Sequence, residues 1–318
     1  MHPALSIIVF TTLSGAGYGL LFVVGLTVPA GLIAPSPGLG IAVLGVGVLL
    51  VIGGLVSSTF HLGHPERAWR ALTQWRSSWL SREGVMALLT FIPILVFAYG
   101  WLFHGAVDGP WGVIGVIMAL MAVVTLWSTA MIYCSLKTIP RWHSAWTPAI
   151  FLSAALATGT LVLTLIVSAA GSEWAAINVF KIVTVIALLL AGLIRVEGWR
   201  SLDRKAPESS AGSATGLGKF GHVRALEPPH TAPNYVQREM GFQIARKHAD
   251  KLRRLTVVLA YAIPIVLVLL SLILPPVLDV IACLLAVASG YAGVLMERWL
   301  FFAEATHKAT LYYGAEAA

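Results

Sequence analysis

Apolar residues in this chain arrive in long runs rather than in alternation. Eight stretches, near 5–27, 39–60, 84–103, 111–136, 147–170, 174–197, 255–274 and 277–300, are apolar over most of their length and are bounded by charge, Pro, Gly or Trp. A run of roughly 20 such residues makes a helix long enough to cross a hydrocarbon core about 30 Å thick. The two-residue alternation of a membrane β-barrel is absent, and a helix satisfies its own backbone hydrogen bonds in lipid. The pattern therefore predicts an all-α integral membrane protein, an eight-transmembrane-helix bundle that forms a single membrane domain over 1–318. The first run lacks a basic leader and is too long for the apolar part of a signal peptide. Only the short link "APSPGLG" separates it from the next run, so it reads as a span.

Composition agrees: 58% of the 318 residues are hydrophobic and only 11% are charged, against about a quarter charged in soluble domains. The net charge of +7 takes its meaning from its placement. Arg67, Arg70, Arg76 and Arg82 follow the second run, Lys137 and Arg141 the fourth, and Arg298 and Lys308 lie at the C-terminal end. The stretch from Arg195 to Arg254 holds all the remaining Lys and Arg except Lys181. The opposite loops carry only Asp108, Glu173 and Asp279. The positive-inside rule then puts both termini and the even-numbered loops in the cytoplasm, and the basic excess needs no nucleic-acid partner. Lys181, about two turns into the sixth run, is read as a charge that snorkels to the outer interface, forms a structural pair or serves a function.

The largest piece outside the runs is the loop 198–254. Its first half is rich in Ser, Gly and Ala and reads as flexible. Its second half predicts a basic amphipathic helix over about 234–254, suited to lying on anionic lipid or to docking a cytoplasmic partner. No internal repeat is evident, which weighs against an inverted-repeat transporter.

The segment "STFHLGHPERAWRALTQWRSSWLSREGV", residues 57–85, carries the candidate chemistry. Its Trp residues suit an interfacial belt and its four Arg residues suit topology, which leaves His61 and Glu83 at the ends of two successive runs. A neutral imidazole can hydrogen-bond a quinone carbonyl, and a carboxyl at the membrane boundary can relay a proton to water. The plain alternative is a pair of helix caps, because Glu at a helix N-terminus is favoured by the dipole in any case. His64 reads as a second polar contact or as a loop hydrogen bond.

Cys134 and Cys283 both fall within apolar runs and stand outside any iron–sulfur or zinc spacing, so they read as small buried residues and no metal site is expected in this protein. The nine His residues fall at run ends or in loops, which disfavours the facing imidazoles of a b-type haem. A secondary transporter built on Lys181, Arg195/Glu197 and Glu297/Arg298 is a further alternative, disfavoured because those charges lie near run ends. A purely structural anchor is the last. Gly15, Gly17 and Gly19 read as close helix packing and not as a nucleotide loop, since no strand precedes them.

The motif "HLGHPERAWRAL…SWLSRE", followed by "YCSLKTIPRWHSAWTP" at 133–148, resembles the membrane-anchor subunits of dimethyl-sulfoxide-reductase-type molybdoenzymes. The long basic loop before the seventh run is similar to the cytoplasmic sulfite-oxidising branch of that family. The resemblance implies a quinone-reactive anchor in the bacterial cytoplasmic (inner) membrane, with ubiquinone or menaquinone as diffusible substrate and no haem or metal of its own. It implies as partners a four-cluster iron–sulfur subunit and a molybdopterin catalytic subunit on the cytoplasmic face. It also implies that His61 and Glu83 act at the quinone and that Arg67 supports them. Electrons would run from sulfite to quinone, or, as the alternative, from menaquinol to a respiratory reductase.

Overall fold

The computed structural model describes residues 4–171, 174–227, 232 and 248–316. Among them are eight helices long and apolar enough to cross a membrane: α1 (Leu5–Thr27), α2 (Pro37–Thr59), α3 (Trp79–His104), α4 (Gly109–Cys134), α5 (Trp146–Ala169), α6 (Trp174–Arg204), α7 (Ala249–Ser271) and α8 (Pro276–Ala303).

The helices start and stop where their caps are, not where hydropathy changes. α2 opens on Pro37 behind Ser36, whose side chain accepts from the Leu39 N–H at 3.3 Å. α3 begins at Trp79 behind the Ser78 cap, a full turn before its apolar run, because "WLSRE" is polar yet helical. α6 continues past its apolar run through Glu197 to Arg204. Of the basic amphipathic helix expected over about 234–254, residues 233–247 lie outside the described residues. The remainder leads into α7, which starts at Ala249.

Almost every face of these helices is apolar, so periodicity alone does not say which helices sit inside. Small residues do, because without a hydrophobic drive between helices in lipid, close backbone approach supplies the packing energy. α1 and α5 are the interior helices: 78% and 72% of their apolar windows are buried, against 33% for α7. They bury Ser14, Gly15, Ala16, Gly17 and Gly19 on α1 and Ala154, Ala155, Thr158 and Gly159 on α5. The outer helices turn Leu49, Leu95, Leu193 and Leu284 outward. At the α1/α5 crossing a Cβ on Gly19 would collide with the Ala155 carbonyl, and one on Gly159 with the Gly19 backbone. A Gly19→Val substitution should therefore force the two backbones apart. We expect a loss of about 3 kcal/mol or more, read as early thermal unfolding of the detergent-solubilised protein.

α7 contains a π-helical turn, Val258–Ala262, immediately before Pro264. Proline has no N–H to offer the preceding turn, and the wider turn leaves carbonyls unsatisfied. Ser289 of α8 donates its hydroxyl to the Leu259 carbonyl at 2.8 Å, so a neighbouring helix supplies the missing donor, as hydrocarbon surroundings demand.

One end of the bundle is strongly basic. There Trp142 Nε1 donates to the Phe301 carbonyl at 2.9 Å, and the Lys308 N–H donates to the Thr138 carbonyl at 2.9 Å. Arg141 and Arg253 both pair with Asp203 and Glu304. These contacts tie the α4–α5 connection, the end of α6, the start of α7 and the C-terminal segment together. An open cleft of ≈ 230 Å³ lies among them, lined by Arg141, Lys205, Pro207 and Glu208.

Candidate functional site

The connection from α2 to α3 is folded down onto the basic end of the bundle. After α2 the backbone turns through His61 and forms a 3-10 helix, Pro65–Leu72. Arg82 holds the segment by donating from Nε to the Trp75 carbonyl at 3.0 Å and from Nη2 to the Arg76 carbonyl at 2.7 Å. Ser81 bonds back to the Ala71 carbonyl. Three guanidinium groups stack on indoles of the same segment, Arg70 on Trp69, Arg76 on Trp75 and Arg82 on Trp79 at 4.3 Å. Trp69 and Trp75 are exposed, as aromatic residues at a membrane interface are expected to be.

With Ser81 and Arg82 spent on the connection, the next residue faces inward. Glu83 is 6% exposed and its Oε1 accepts from the Thr129 hydroxyl of α4 at 2.6 Å. A hydroxyl pair, Thr90 with Thr125 at 3.1 Å, extends the same α3/α4 contact one to two turns deeper. Tyr18 of α1 and Tyr133 of α4 are both near enough to interact electrostatically with Glu83. The Tyr18 hydroxyl is buried without a hydrogen-bond partner.

The other three sequence candidates lie at the surface. His61 is exposed on the turn after α2, and desolvation of its ring by the surrounding loop lowers its pKa below the ordinary histidine value. The ring is therefore neutral near pH 7. His64 Nδ1 lies 3.0 Å from Glu66 and Arg67 Nε lies 3.6 Å from the same carboxylate. His64 and Arg67 thus share a partner that the sequence did not single out. Among the described residues no hydrogen bond or ion pair joins His61, His64 or Arg67 to Glu83. The site is a shell, with a carboxyl just inside the bundle and an imidazole, a guanidinium and indoles just outside it.

Sequence reasoning missed the buried charges behind Glu83. Arg195 does not pair with Glu197: it is 3% exposed, and its Nε lies 3.0 Å from Glu297 of α8. Glu297 also faces its neighbour Arg298 at 3.3 Å, and the Arg298 guanidinium lies 3.8 Å over the Phe151 ring. These charges are inside the protein and not at the exits of the runs, because α6 and α8 both continue beyond their apolar stretches. Glu197 stays exposed and faces Arg200.

Lys181 does not snorkel. It is fully buried, 2.8 Å from Asp279 and donating to the Ser271 carbonyl at 2.9 Å. Asp279 is accordingly a residue of the first turn of α8, not of an outer loop. Cys283 is buried as expected and donates to Asp279 at 3.4 Å, whereas Cys134 is only half-buried. Among the described residues no group of His, Cys, Asp and Glu stands close enough to hold a metal ion.

Comparison with known proteins identifies the bundle. Residues 1–314 match the family of the DMSO reductase anchor subunit (DmsC). The sequence is 36% identical to a sulfite dehydrogenase subunit of Allochromatium vinosum, in an alignment covering 98% of this protein and 99% of the relative. It is 30% identical to a polypeptide of the anaerobic dimethyl sulfoxide reductase of Escherichia coli, over 48% of this protein and 53% of that one. With eight apolar helices and a family match over almost its whole length, the protein is a multi-pass bacterial inner-membrane protein that belongs to the DMSO reductase anchor subunit (DmsC) family.

Proposed function

We propose that this anchor supplies the quinone site of a molybdenum and iron–sulfur oxidoreductase and passes electrons from sulfite oxidation to the quinone pool. The observation that carries the reading is Glu83: a carboxyl enclosed one turn inside the basic end, held by a single neutral hydroxyl rather than by a cation. A structural carboxylate buried for stability is normally paired with a charge, whereas nothing holds this one in its ionised form, so it can carry a proton to give.

Reducing a quinone takes two electrons and two protons. The electrons come from a cluster of the iron–sulfur subunit, which docks over the basic end together with the molybdopterin subunit. The neutral imidazole of His61 donates a hydrogen bond to one quinone carbonyl. Glu83 gives a proton to a reduced oxygen, is reprotonated from the aqueous side and supplies the second proton in the same way, with Arg67 and His64 at the mouth beside Glu66. The positive-inside rule puts this end in the cytoplasm, so donor, quinone and proton source share one side and no charge need cross the membrane. The basic loop ahead of α7, over about 234–254, serves as a lipid or partner contact on that face. Sulfite is favoured as the electron source because the full-length similarity is to a sulfite dehydrogenase subunit, while the dimethyl sulfoxide reductase relative aligns with about half of this protein.

In the complete complex, His61→Ala should lower quinone turnover by about 10-fold or more, and His61→Gln, a neutral donor, should restore part of it. Because burial lowers the His61 pKa, turnover that needs the neutral ring should fall on acidification with a midpoint below that of an ordinary histidine. Native turnover in His61→Ala, or reporter fusions placing the 60–78 connection outside, would contradict the reading.

A further inference from the structure

Behind Glu83 the bundle leaves a small, partly open cavity between α1, α4, α5 and α8. Its volume is ≈ 10 Å³, and its wall includes Thr12, Gly15, Thr129, Phe151, Thr158 and Arg298. That is at the lower limit of the space that admits one water molecule. Two of the lining residues keep a buried polar atom without a hydrogen bond: the Thr12 hydroxyl, and the Nη1 of Arg298, whose Nε faces Glu297 at 3.3 Å. Arg298 is 2% exposed and Thr12 is 1% exposed, and leaving such groups dry is costly. A third lining residue, Thr129, donates its hydroxyl to Glu83 at 2.6 Å, and a hydroxyl oxygen that donates can still accept a further hydrogen bond.

We propose that this cavity holds one ordered water, bound by Arg298 and the Thr12 hydroxyl, and that this water is the proton donor that recharges Glu83 through Thr129. The inference rests on the quinone reading above. Arg298 Nη1–H donates to the water oxygen, and the water donates to Thr129 Oγ1. When Glu83 has given its proton to the quinone oxygen, the Thr129 O–H bond breaks as its hydrogen passes to the Glu83 carboxylate. Thr129 takes a hydrogen from the water, and the water takes a proton from the aqueous medium at the basic end. One proton enters and one leaves, and no group other than the quinone is reduced. Arg298 stays protonated throughout and acts as a positioning residue that fixes the water, with Glu297 and Phe151 holding it in place.

The assembled complex can test this with two conservative variants that touch neither Glu83 nor the quinone. Thr12→Val removes one of the unpartnered groups without changing shape. Gly15→Ala adds a methyl to the cavity wall at a position where a Cβ meets only the Ala155 Cβ at 4.0 Å, so the fold accommodates it. Each should slow quinone turnover by about 10-fold, raise the solvent deuterium isotope effect and leave the quinone KM unchanged. Reduction of a soluble dye by the catalytic subunit should continue at the native rate. If both variants keep native turnover and isotope effect while Glu83→Gln abolishes turnover, the water relay is overturned and the quinone reading stands. If Glu83→Gln also turns over normally, the quinone reading falls and the relay falls with it. A high-resolution map of the complex showing a dry cavity overturns the relay independently of any rate.

Discussion

Replacing Glu83 by Gln in the assembled complex should reduce quinone turnover by about 100-fold or more, the usual worth of a positioned acid or base, while leaving the anchor folded and its partners attached. The substitution keeps the volume and keeps an acceptor for the Thr129 hydroxyl, which bonds Glu83 at 2.6 Å, so no cavity is created and that hydrogen bond survives. What it removes is the ability to give and take a proton one turn inside the bundle. Substrate-driven reduction of a soluble dye by the catalytic subunit should be unchanged, which separates a lost quinone step from a lost enzyme. The companion variant Thr129→Val leaves the carboxyl in place but without its hydrogen bond, and should show a smaller loss than Glu83→Gln. Turnover in Glu83→Gln within a factor of about two of native would mean that the buried carboxyl serves only the α3/α4 contact.

The largest expected effect on stability lies at the other end of the bundle. Lys181 is fully buried, 2.8 Å from Asp279, and bonds the Ser271 carbonyl, so a single ammonium ties α6 to the end of α7 and the first turn of α8. Lys181→Met leaves Asp279 enclosed with, among the described residues, only the Cys283 thiol as side-chain donor. Breaking a buried pair from one side typically costs about 3–5 kcal/mol. Replacing both partners, as Lys181→Met with Asp279→Leu, removes the uncompensated charge and should recover most of that loss. Thermal unfolding of the purified complex and the steady-state amount of the anchor in membranes would both report the difference. Equal stability of the single and double variants would show that the pair is held for some other purpose. The ion pair pins helices near the end opposite Glu83, so neither variant should alter quinone turnover per assembled complex.

Particular residues mark the border between what the sequence states locally and what it leaves to folding. Glu83 is conspicuous as a carboxyl beside an apolar run, and the spacing of "SWLSRE" together with the Ser78 cap puts it one turn into a helix. Thr129 is not, because a threonine in an apolar run is common and its bond to Glu83 spans 46 positions. Arg195 and Glu297 are in plain view, but hydropathy assigns them to run ends and to sequence neighbours. Helix continuation moves them inside, where they meet across 3.0 Å. Lys181 and Asp279 lie within their runs in either case, and what hydropathy leaves out is that they pair at 2.8 Å across 98 positions. An apolar window marks where lipid begins, whereas backbone hydrogen bonding and caps decide where a helix ends.

The number and length of the spans, their all-helical character and the gathering of Lys and Arg into alternate connections follow from the sequence by itself. Hydrocarbon thickness and backbone satisfaction allow one solution to eight apolar runs, and charge is read without knowing any contact. Which helices are central, which charges are paired and where a water-sized cavity remains were decided only by the tertiary structure. When nearly every face of a helix is apolar, periodicity carries no direction, and the choice passes to small residues such as Gly19 and Gly159 that let one backbone touch another. That close approach at the α1/α5 crossing sets the spacing of the bundle. The same spacing leaves Thr12, Thr129 and Arg298 facing a common space behind Glu83.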